Sequence, residues 1–506
     1  MIRLTMIRMT RSSAALAVCI ASSAAWSATD APAYDVAFDA DARRADVRLC
    51  LQHAHSVVEF AADSAWAMRF ISAAARPTGA AVDATGSGWR ARDWHAGECL
   101  SYRADIGAIA AQHEPDVGWQ IADDIVAAPQ LWLLRPDVQG EADATLRIVL
   151  PERWNISAPW HEAPPRTPAK PDANGSEASS PAARGKALEF RIPNTPANWS
   201  SAVAFGHFSG ERIVLPGGTL HLAILDDNDA AQHAKLRAWL DRVARASLSA
   251  YGRLPLADVQ VLMIPVSGSR AAVKFGQSVR GQGNALELLI DPSRPAAEFD
   301  DDWMAVHEMS HLLHPYLGDR GAWLAEGLAT YYQNVLRARS GLLTPAQAWD
   351  RLYEGFQRGA ATPNDETLEQ VAGNMHRNHA FQRVYWAGAA YWLTVDRDLR
   401  RRAGGTLNLE TVLARFRDCC LPAYREWQPD EFVARLDALA GGDVFATRYR
   451  EFAQMRQFPD WAKLYSALGI RHGGDRLAFD ASAADAAIRD AIMAPNRTTV
   501  EARAKD

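Results

Sequence analysis

Two histidines and a glutamate lie within one helical turn near the middle of the chain. Residues His307, Glu308 and His311 form the pattern HExxH, and apolar residues flank it at helical spacing. On a helix the two histidines point the same way, so both imidazoles can reach one metal ion. Glu308 lies beside them, where a carboxylate can take a proton from water activated by the metal. The pattern predicts a zinc site that activates water.

A third ligand is expected on the next helix. A catalytic zinc site takes three protein ligands and keeps one position open. Pro315 ends the first helix, and after a short turn the segment 323–332 again has a helical pattern. We expect Glu326, fifteen residues after His311, to complete a site for one Zn²⁺ per chain. His314 stays open as a fourth ligand or as a residue that caps or packs the helix end.

Three motifs together resemble the gluzincin metallopeptidases, in particular their peptidase-MA-like branch. They are HExxH, the segment Trp323–Ala329 with its Glu-Gly pair, and the segment Val384–Gly388. The chain is similar in the same motifs to the aminopeptidase N and glycyl aminopeptidase groups. The resemblance implies a peptide or protein substrate and gives Tyr385 the role of stabilising the tetrahedral intermediate. Ala387 stands where the family usually has lysine.

One family motif is absent. The aminopeptidases carry a G-x-M-E-N loop whose glutamate captures the free α-amine of the substrate. The corresponding stretch here, Arg280–Asn284, has no acidic residue, and Glu287 falls within the strand that follows. The choice between endopeptidase and aminopeptidase action therefore stays open.

The order of patterns predicts an α+β protein. A β-sandwich-like domain is expected over 29–225, with a loop at 163–186 that is rich in Pro, Ala and Ser. The resemblance implies a thermolysin-like zincin core over 226–340. A helical extension is expected over 341–480, beginning with a capping box at Thr344, and a frayed tail over 481–506.

The N-terminus predicts export. Basic residues precede a short apolar stretch, Ala14–Ala25, and small residues follow, which is typical of a signal peptide over 1–28 cleaved near Ser27 or Ala28. We expect a periplasmic or secreted protein. In an oxidising compartment Cys50 and Cys99, both in strand-like runs, are natural disulfide partners. For adjacent Cys419 and Cys420 two half-buried thiols are favoured over a vicinal disulfide, which strains the backbone, and their state stays open.

Charge and hydropathy exclude two classes of partner. The formal net charge is −6, so a broad cationic surface for nucleic acid is not expected. No apolar run reaches the roughly 18 residues of a membrane span. The sequence favours an exported zinc metallopeptidase of unknown oligomeric state. The alternative is a catalytically silent binding or scaffold protein with the same fold, and the presence of Glu308 counts against it.

Overall fold

A computed structural model describes residues 30–163, 185–362, 365–402, 404–473 and 476–495. The predicted signal peptide and nearly all of the predicted 163–186 loop lie outside these residues. Within them the expected α+β order is confirmed, because β-sheets come first and helices follow. No described helix is long and apolar enough to cross a membrane.

The first part of the chain is made of short strands. One sheet has seven strands in the order β13-β14-β11-β1-β2-β7-β4, and two further sheets have four strands each. Buried side chains of all three sheets form one hydrophobic core. The bounds are β1 (Ala33–Asp39), β2 (Arg44–Cys50), β3 (His55–Ala61), β4 (Ile71–Ala75), β5 (Val82–Ala84), β6 (Gly88–Trp94), β7 (Cys99–Asp105), α1 (Ile106–Ala110), β8 (Gly118–Ile121), β9 (Asp124–Ala127), β10 (Arg135–Pro136), β11 (Ala144–Pro151), β12 (Asn155–Ser157), β13 (His161–Glu162), β14 (Gly185–Ile192) and β15 (Val203–Gly206).

Strand β2 pairs with β7 so that Cys50 lies opposite Cys99, and the two are joined by a disulfide, as predicted. The expectation for the other two cysteines is wrong. Cys419 and Cys420 are also bridged, at the point where a helix ends and Leu421 is already extended. Both cysteines belong to the last turn of that helix, and the Leu421 N–H still donates to the Arg417 carbonyl at 3.4 Å.

The second part begins with a five-stranded mixed sheet of order β16-β17-β18-β20-β19. Strands β17, β18 and β20 run parallel, and β19 is an antiparallel edge strand. The elements are β16 (Gly210–Leu215), β17 (Gly218–Ile224), α2 (Ala230–Leu248), β18 (Asp258–Pro265), β19 (Val273–Val279), β20 (Ala285–Ile290), α3 (Ala296–Asp301), α4 (Met304–His311) and α5 (Ala322–Ser340). The expected boundary at 225 is therefore too late, since β16 and β17 pair into this sheet.

Helices dominate the remainder of the described chain. The elements are α6 (Pro345–Ala360), α7 (Leu368–Gly373), α8 (Met375–Asn378), α9 (Phe381–Arg402), α10 (Leu409–Cys420), α11 (Pro429–Ala440), α12 (Val444–Ala453), α13 (Trp461–Ala467), β21 (Ile470–Gly473), β22 (Arg476–Phe479) and α14 (Ala486–Met493). The predicted capping box at the start of α6 is present, with Thr344 and Gln347 bonding reciprocally.

Two expectations about the C-terminal region are wrong. Residues 470–479 form an antiparallel hairpin, β21 and β22, instead of continuing the helical pattern. The expected frayed tail contains α14, whose Ile492 is fully buried. The Ile492 carbonyl accepts a hydrogen bond of 2.8 Å from Arg339 Nε on α5. Apolar burial and this bond hold α14 against the helical core.

Helices α5 and α9 cross with almost no space between their backbones. A Cβ atom on Gly388 would lie 1.9 Å from the carbonyl oxygen of Trp323, and one on Gly327 would lie 2.4 Å from Gly388 Cα. Only glycine fits at these positions. The crossing brings Glu326, next to Gly327, into contact with Tyr385, one turn before Gly388.

We predict that Gly388→Ala lowers the free energy of unfolding by at least about 1–3 kcal/mol, because the added methyl forces the two helices apart. Gly373→Ala is the matched control, since a Cβ on Gly373 at the end of α7 meets nothing within 4 Å. Urea unfolding of both variants and of the wild type measures the difference. Equal midpoints for the two variants would show that the helices can separate without cost.

Candidate active site

Three side chains from α4 and α5 converge on one point. His307 and His311, four residues apart on α4, face Glu326 on α5, and their ligand atoms all lie within 4.8 Å of one another. Glu326 Oε2 is 3.2 Å from His307 Nε2 and 3.6 Å from His311 Nε2. Two imidazole nitrogens and one carboxylate oxygen are the donor set of many catalytic zinc sites. The group is a candidate metal site, and the three residues are those the sequence predicts.

The imidazole of His307 is oriented by a glutamine that the sequence analysis did not single out. His307 Nδ1 lies 2.8 Å from Gln333 Oε1, which accepts hydrogen bonds only. Gln333 therefore fixes a proton on His307 Nδ1, and Nε2, which faces the other two ligand atoms, is the nitrogen available to a metal. Gln333 follows Glu326 by seven residues, two turns along the same face of α5. That spacing is the signal that could have revealed it.

The imidazole of His311 is oriented by His314. His314 Nδ1 donates to the Pro315 carbonyl at 2.7 Å, so its Nε2 is an acceptor. That Nε2 lies 3.1 Å from His311 Nδ1, which must carry the proton. Burial lowers the pKa of His314 well below its usual value, which keeps it neutral. His314 is therefore not placed as a fourth ligand, because its free nitrogen faces a ligand ring instead of the centre.

Glu308 lies deep in the same site. Its side chain is 7% exposed and packs beside β19, where a Cβ on Gly276 would come within 3.0 Å of Glu308 Cγ. Burial raises the pKa of Glu308, although the neighbouring histidines act against this. Burial also opposes ionisation of Glu326, but His311 and His307 hold the pKa of Glu326 well below its usual value. The two carboxylates thus differ in basicity although they share one site.

Tyr385 reaches the site from α9. Its ring lies nearly parallel to that of His307, with the centroids 5.9 Å apart, and its hydroxyl donates a hydrogen bond to Glu326. Burial raises the pKa of Tyr385 far above its usual value, so the phenol keeps its proton and remains a donor. Thr330, one turn after Glu326 on α5, has a buried hydroxyl without a hydrogen-bond partner among the described residues.

The convergent residues open onto a cleft of about 570 Å³. One wall is the outer edge of β19 from Phe275 to Ser278, and α4, α5 and α9 form the others. A second cavity of about 500 Å³ adjoins it and shares Tyr385. The second cavity is lined by polar side chains of α5, α6 and α9 together with Trp303. An extended chain therefore has room on both sides of Tyr385.

The N-terminal part of the chain packs tightly against the loop that follows β19. A Cβ on Gly283 would lie 1.9 Å from the Pro159 carbonyl oxygen, so no side chain fits there. The Gln282 backbone N–H donates to Thr195 Oγ1 at 2.9 Å, and the Gln282 side chain accepts from Trp160 Nε1 at 3.0 Å.

Glu287, in β20, does not line the cleft. It accepts from Gln277, and burial raises the pKa of Glu287 to about 7.

Comparison with known proteins agrees with this geometry. The family model for M61 glycyl aminopeptidase matches residues 314–388. An aminopeptidase N family protein from Idiomarina loihiensis has a TM-score of 0.63 at 14% identity, over 87% of this chain and 78% of that one. An M1 zinc metallopeptidase from Deinococcus radiodurans, solved as a variant bound to a Tyr-Ser-Ala substrate, has a TM-score of 0.52 at 15% identity. That alignment covers 85% of this chain and 95% of the other.

The chain has the fold of these M1 metallopeptidases. No curated protein matches the sequence. The resemblance predicted from three motifs is confirmed, and the matched segment includes Glu326, Tyr385 and Gly388. The first of the three motifs, HExxH, lies just before the matched segment and supplies the two histidines of the candidate metal site.

We predict that Gln333→Leu weakens zinc binding by about 10- to 100-fold, because His307 loses the acceptor that fixes its tautomer and ring orientation. Gln333→Glu keeps an acceptor and should retain most of the affinity. Competition with a chelating dye measures both. Gln357→Leu, at an exposed glutamine of α6, is the matched control. Wild-type affinity in Gln333→Leu would mean that another group orients His307.

Proposed function

We propose that the protein is an exported zinc metallopeptidase that hydrolyses peptide bonds. The observation that carries the proposal is the convergence of His307, His311 and Glu326 with Glu308 and Tyr385 in one cleft. The three ligands fit zinc, and the other two are a carboxylate base and a protonated phenol. Acyl transfer to water needs each of these groups.

Zinc held by His307, His311 and Glu326 would supply a Lewis acid for the scissile carbonyl. Glu308 takes a proton from the attacking water and later delivers it to the leaving amine. Its raised pKa makes Glu308 a better base than an ordinary exposed carboxylate. The Tyr385 hydroxyl, which reaches the site from α9, donates to the oxyanion that forms on the carbonyl.

The substrate is proposed to bind as an extended strand along β19. This strand is the free edge of its sheet, and Phe275–Ser278 line the cleft. An edge strand offers unpaired backbone donors and acceptors to a peptide. The Tyr-Ser-Ala complex of the Deinococcus radiodurans metallopeptidase supports a peptide as the substrate class. No side chain fits at Gly283, so an acidic residue that would bind a free amino terminus cannot stand there. The proposed substrates therefore include peptides in which no free amino terminus lies near the cut bond.

Export is proposed from the signal-like residues 1–28 and is supported by the two bridged cysteine pairs, since disulfides persist in oxidising compartments. Sequencing the N-terminus of the protein recovered from the periplasm or medium tests this part. A mature chain beginning near Ala28 or Thr29 is the expected result. An intact Met1 on protein recovered only from the cytoplasm would contradict it.

We predict that Glu308→Gln lowers kcat by at least about 10²–10⁴-fold while zinc content stays at one per chain, because glutamine has nearly the same shape but cannot accept the proton. Glu326→Ala should instead lose zinc. Hydrolysis of a mixed peptide library, followed by mass spectrometry, together with elemental analysis, measures both quantities. Turnover near the wild-type rate in Glu308→Gln would rule out the proposed mechanism.

We predict that Tyr385→Phe lowers kcat by about 10²–10³-fold with little change in KM, because the hydroxyl donates to a charge that develops in the transition state. Tyr316→Phe is the matched control, since Tyr316 lines the same cleft without contacting Glu326 among its described bonds. Steady-state kinetics on one cleaved peptide separates kcat from KM. A kcat within about threefold of wild type would assign Tyr385 to packing alone.

A further inference from the structure

We propose that Arg280 binds a carboxylate group of the substrate, so that the cleft selects peptides that carry a negative charge near the end of β19. The inference rests on the proposed peptidase function and specifies its substrate class. It does not follow from the family motifs, in which this loop recognises an amine through a glutamate.

Arg280 is the first residue after β19, and its side chain lines the cleft together with Glu308 and Glu326. One nitrogen of the guanidinium is engaged. Nη2 donates to the His311 carbonyl at 2.7 Å and weakly to the His314 carbonyl at 3.4 Å. A guanidinium has five N–H donors in a planar fork, and among the described residues no acceptor bonds to Nε or Nη1 of Arg280. The N–H of Nε and the two N–H groups of Nη1, three of the five donors, are therefore free for a ligand.

The charge of Arg280 also lacks a direct partner. Glu308 and Glu326 act on it through their electrostatic field, but neither of these carboxylates forms an ion pair with it, and no other carboxylate in the described chain does. The guanidinium of arginine is a cation at neutral pH. A half-buried cation without a hydrogen-bonded counter-ion is costly, and a carboxylate that accepts from Nε or from Nη1 removes part of that cost.

The residues that follow Arg280 pack tightly against the N-terminal part of the chain. The next residues are fixed against the N-terminal sheets: a Cβ on Gly281 would lie 2.3 Å from the Trp199 carbonyl oxygen, and Gly283 is closed by Pro159. Asp319 also lines the cleft but is exposed to solvent. A substrate that extends along β19 therefore passes a fixed cation at the end of the strand.

Two sources can supply the carboxylate, an acidic side chain or the C-terminus of a short peptide. The test uses the zinc-loaded full chain and peptide pairs that differ only in Glu against Gln at one position, scanned along the peptide. A second arm compares free with amidated C-termini. The quantity measured is the ratio of kcat/KM within each pair, which cancels any general loss of folding or zinc. We expect the wild type to favour the charged member by about 10- to 100-fold at one position or at the terminus.

In Arg280→Gln this ratio should fall to about one, and in Arg280→Lys, which keeps the charge, it should be intermediate. Arg358→Gln is the matched control, because Arg358 lines the adjoining cavity but lies against Trp386 and Gln382. The control should keep the wild-type ratio. If Arg280→Gln does not fold, the wild type and Arg280→Lys still give the comparison.

The failures of the two proposals are distinguishable. If the wild type cuts no peptide, the proposed function is wrong and this inference falls with it. If the wild type cuts peptides but the paired ratios stay near one in both arms, the peptidase stands. Arg280 then serves only to cap the carbonyls at the end of α4. A ratio that is lost in Arg358→Gln but kept in Arg280→Gln would place the carboxylate in the adjoining cavity and overturn the assignment.

Discussion

The crossing of α5 and α9 is the contact on which the site depends. Gly327 and Gly388 let the two backbones approach until a single added methyl would overlap a neighbouring main chain. Because Glu326 precedes Gly327 and Tyr385 lies one turn before Gly388, the same contact places a carboxylate and a phenol against His307. Trp392 Nε1 donates to the Leu324 carbonyl at 2.8 Å and holds the crossing from the other side. A short glycine contact thus fixes the distance between Glu326, the third candidate metal ligand, and Tyr385, the proposed oxyanion donor.

Around that crossing the protein gathers more ionisable groups than a buried region normally tolerates. Two glutamates, an aspartate, four histidines and an arginine line one cleft, and burial alone would neutralise the two glutamates. Fixed hydrogen bonds set the states that remain. Gln333 and His314 hold the protons of His307 and His311 on Nδ1, so both Nε2 lone pairs face Glu326. A metal cation at that point can accept an electron pair from each of the two imidazoles and from the Glu326 carboxylate. The arrangement therefore fits a metal site better than a structural ion-pair network.

The parts of the site that could be predicted from the sequence are those set by local periodicity. His307 and His311 share a helix face because they are four residues apart, and Pro315 marks the end of that helix. The role of His314 could not be predicted, because it depends on how the chain turns after α4 and presents the Pro315 carbonyl. Gln333 has a helical spacing from Glu326, but the side chain it would meet comes from another helix. The packing of α14 likewise depends on a partner, Arg339, that is more than 150 residues away.

The N-terminal part of the chain affects the site because it leaves no space for side chains at two positions of the loop after β19. Trp199 and Pro159 leave no room for a side chain at Gly281 and Gly283. Gln282, between them, is bonded to Thr195 and Trp160, so this loop presents no acidic side chain to a substrate. Arg280 lies directly before this loop and carries a positive charge. Its Nε and Nη1 have N–H groups that bond to no acceptor among the described residues. The proposed preference for a carboxylate follows from this placement, because a cation at this end of the cleft attracts an anionic group of a peptide. The zinc ligands and the base can stay the same, because the electrostatic preference is set by the loop and not by the helices that hold the reacting groups.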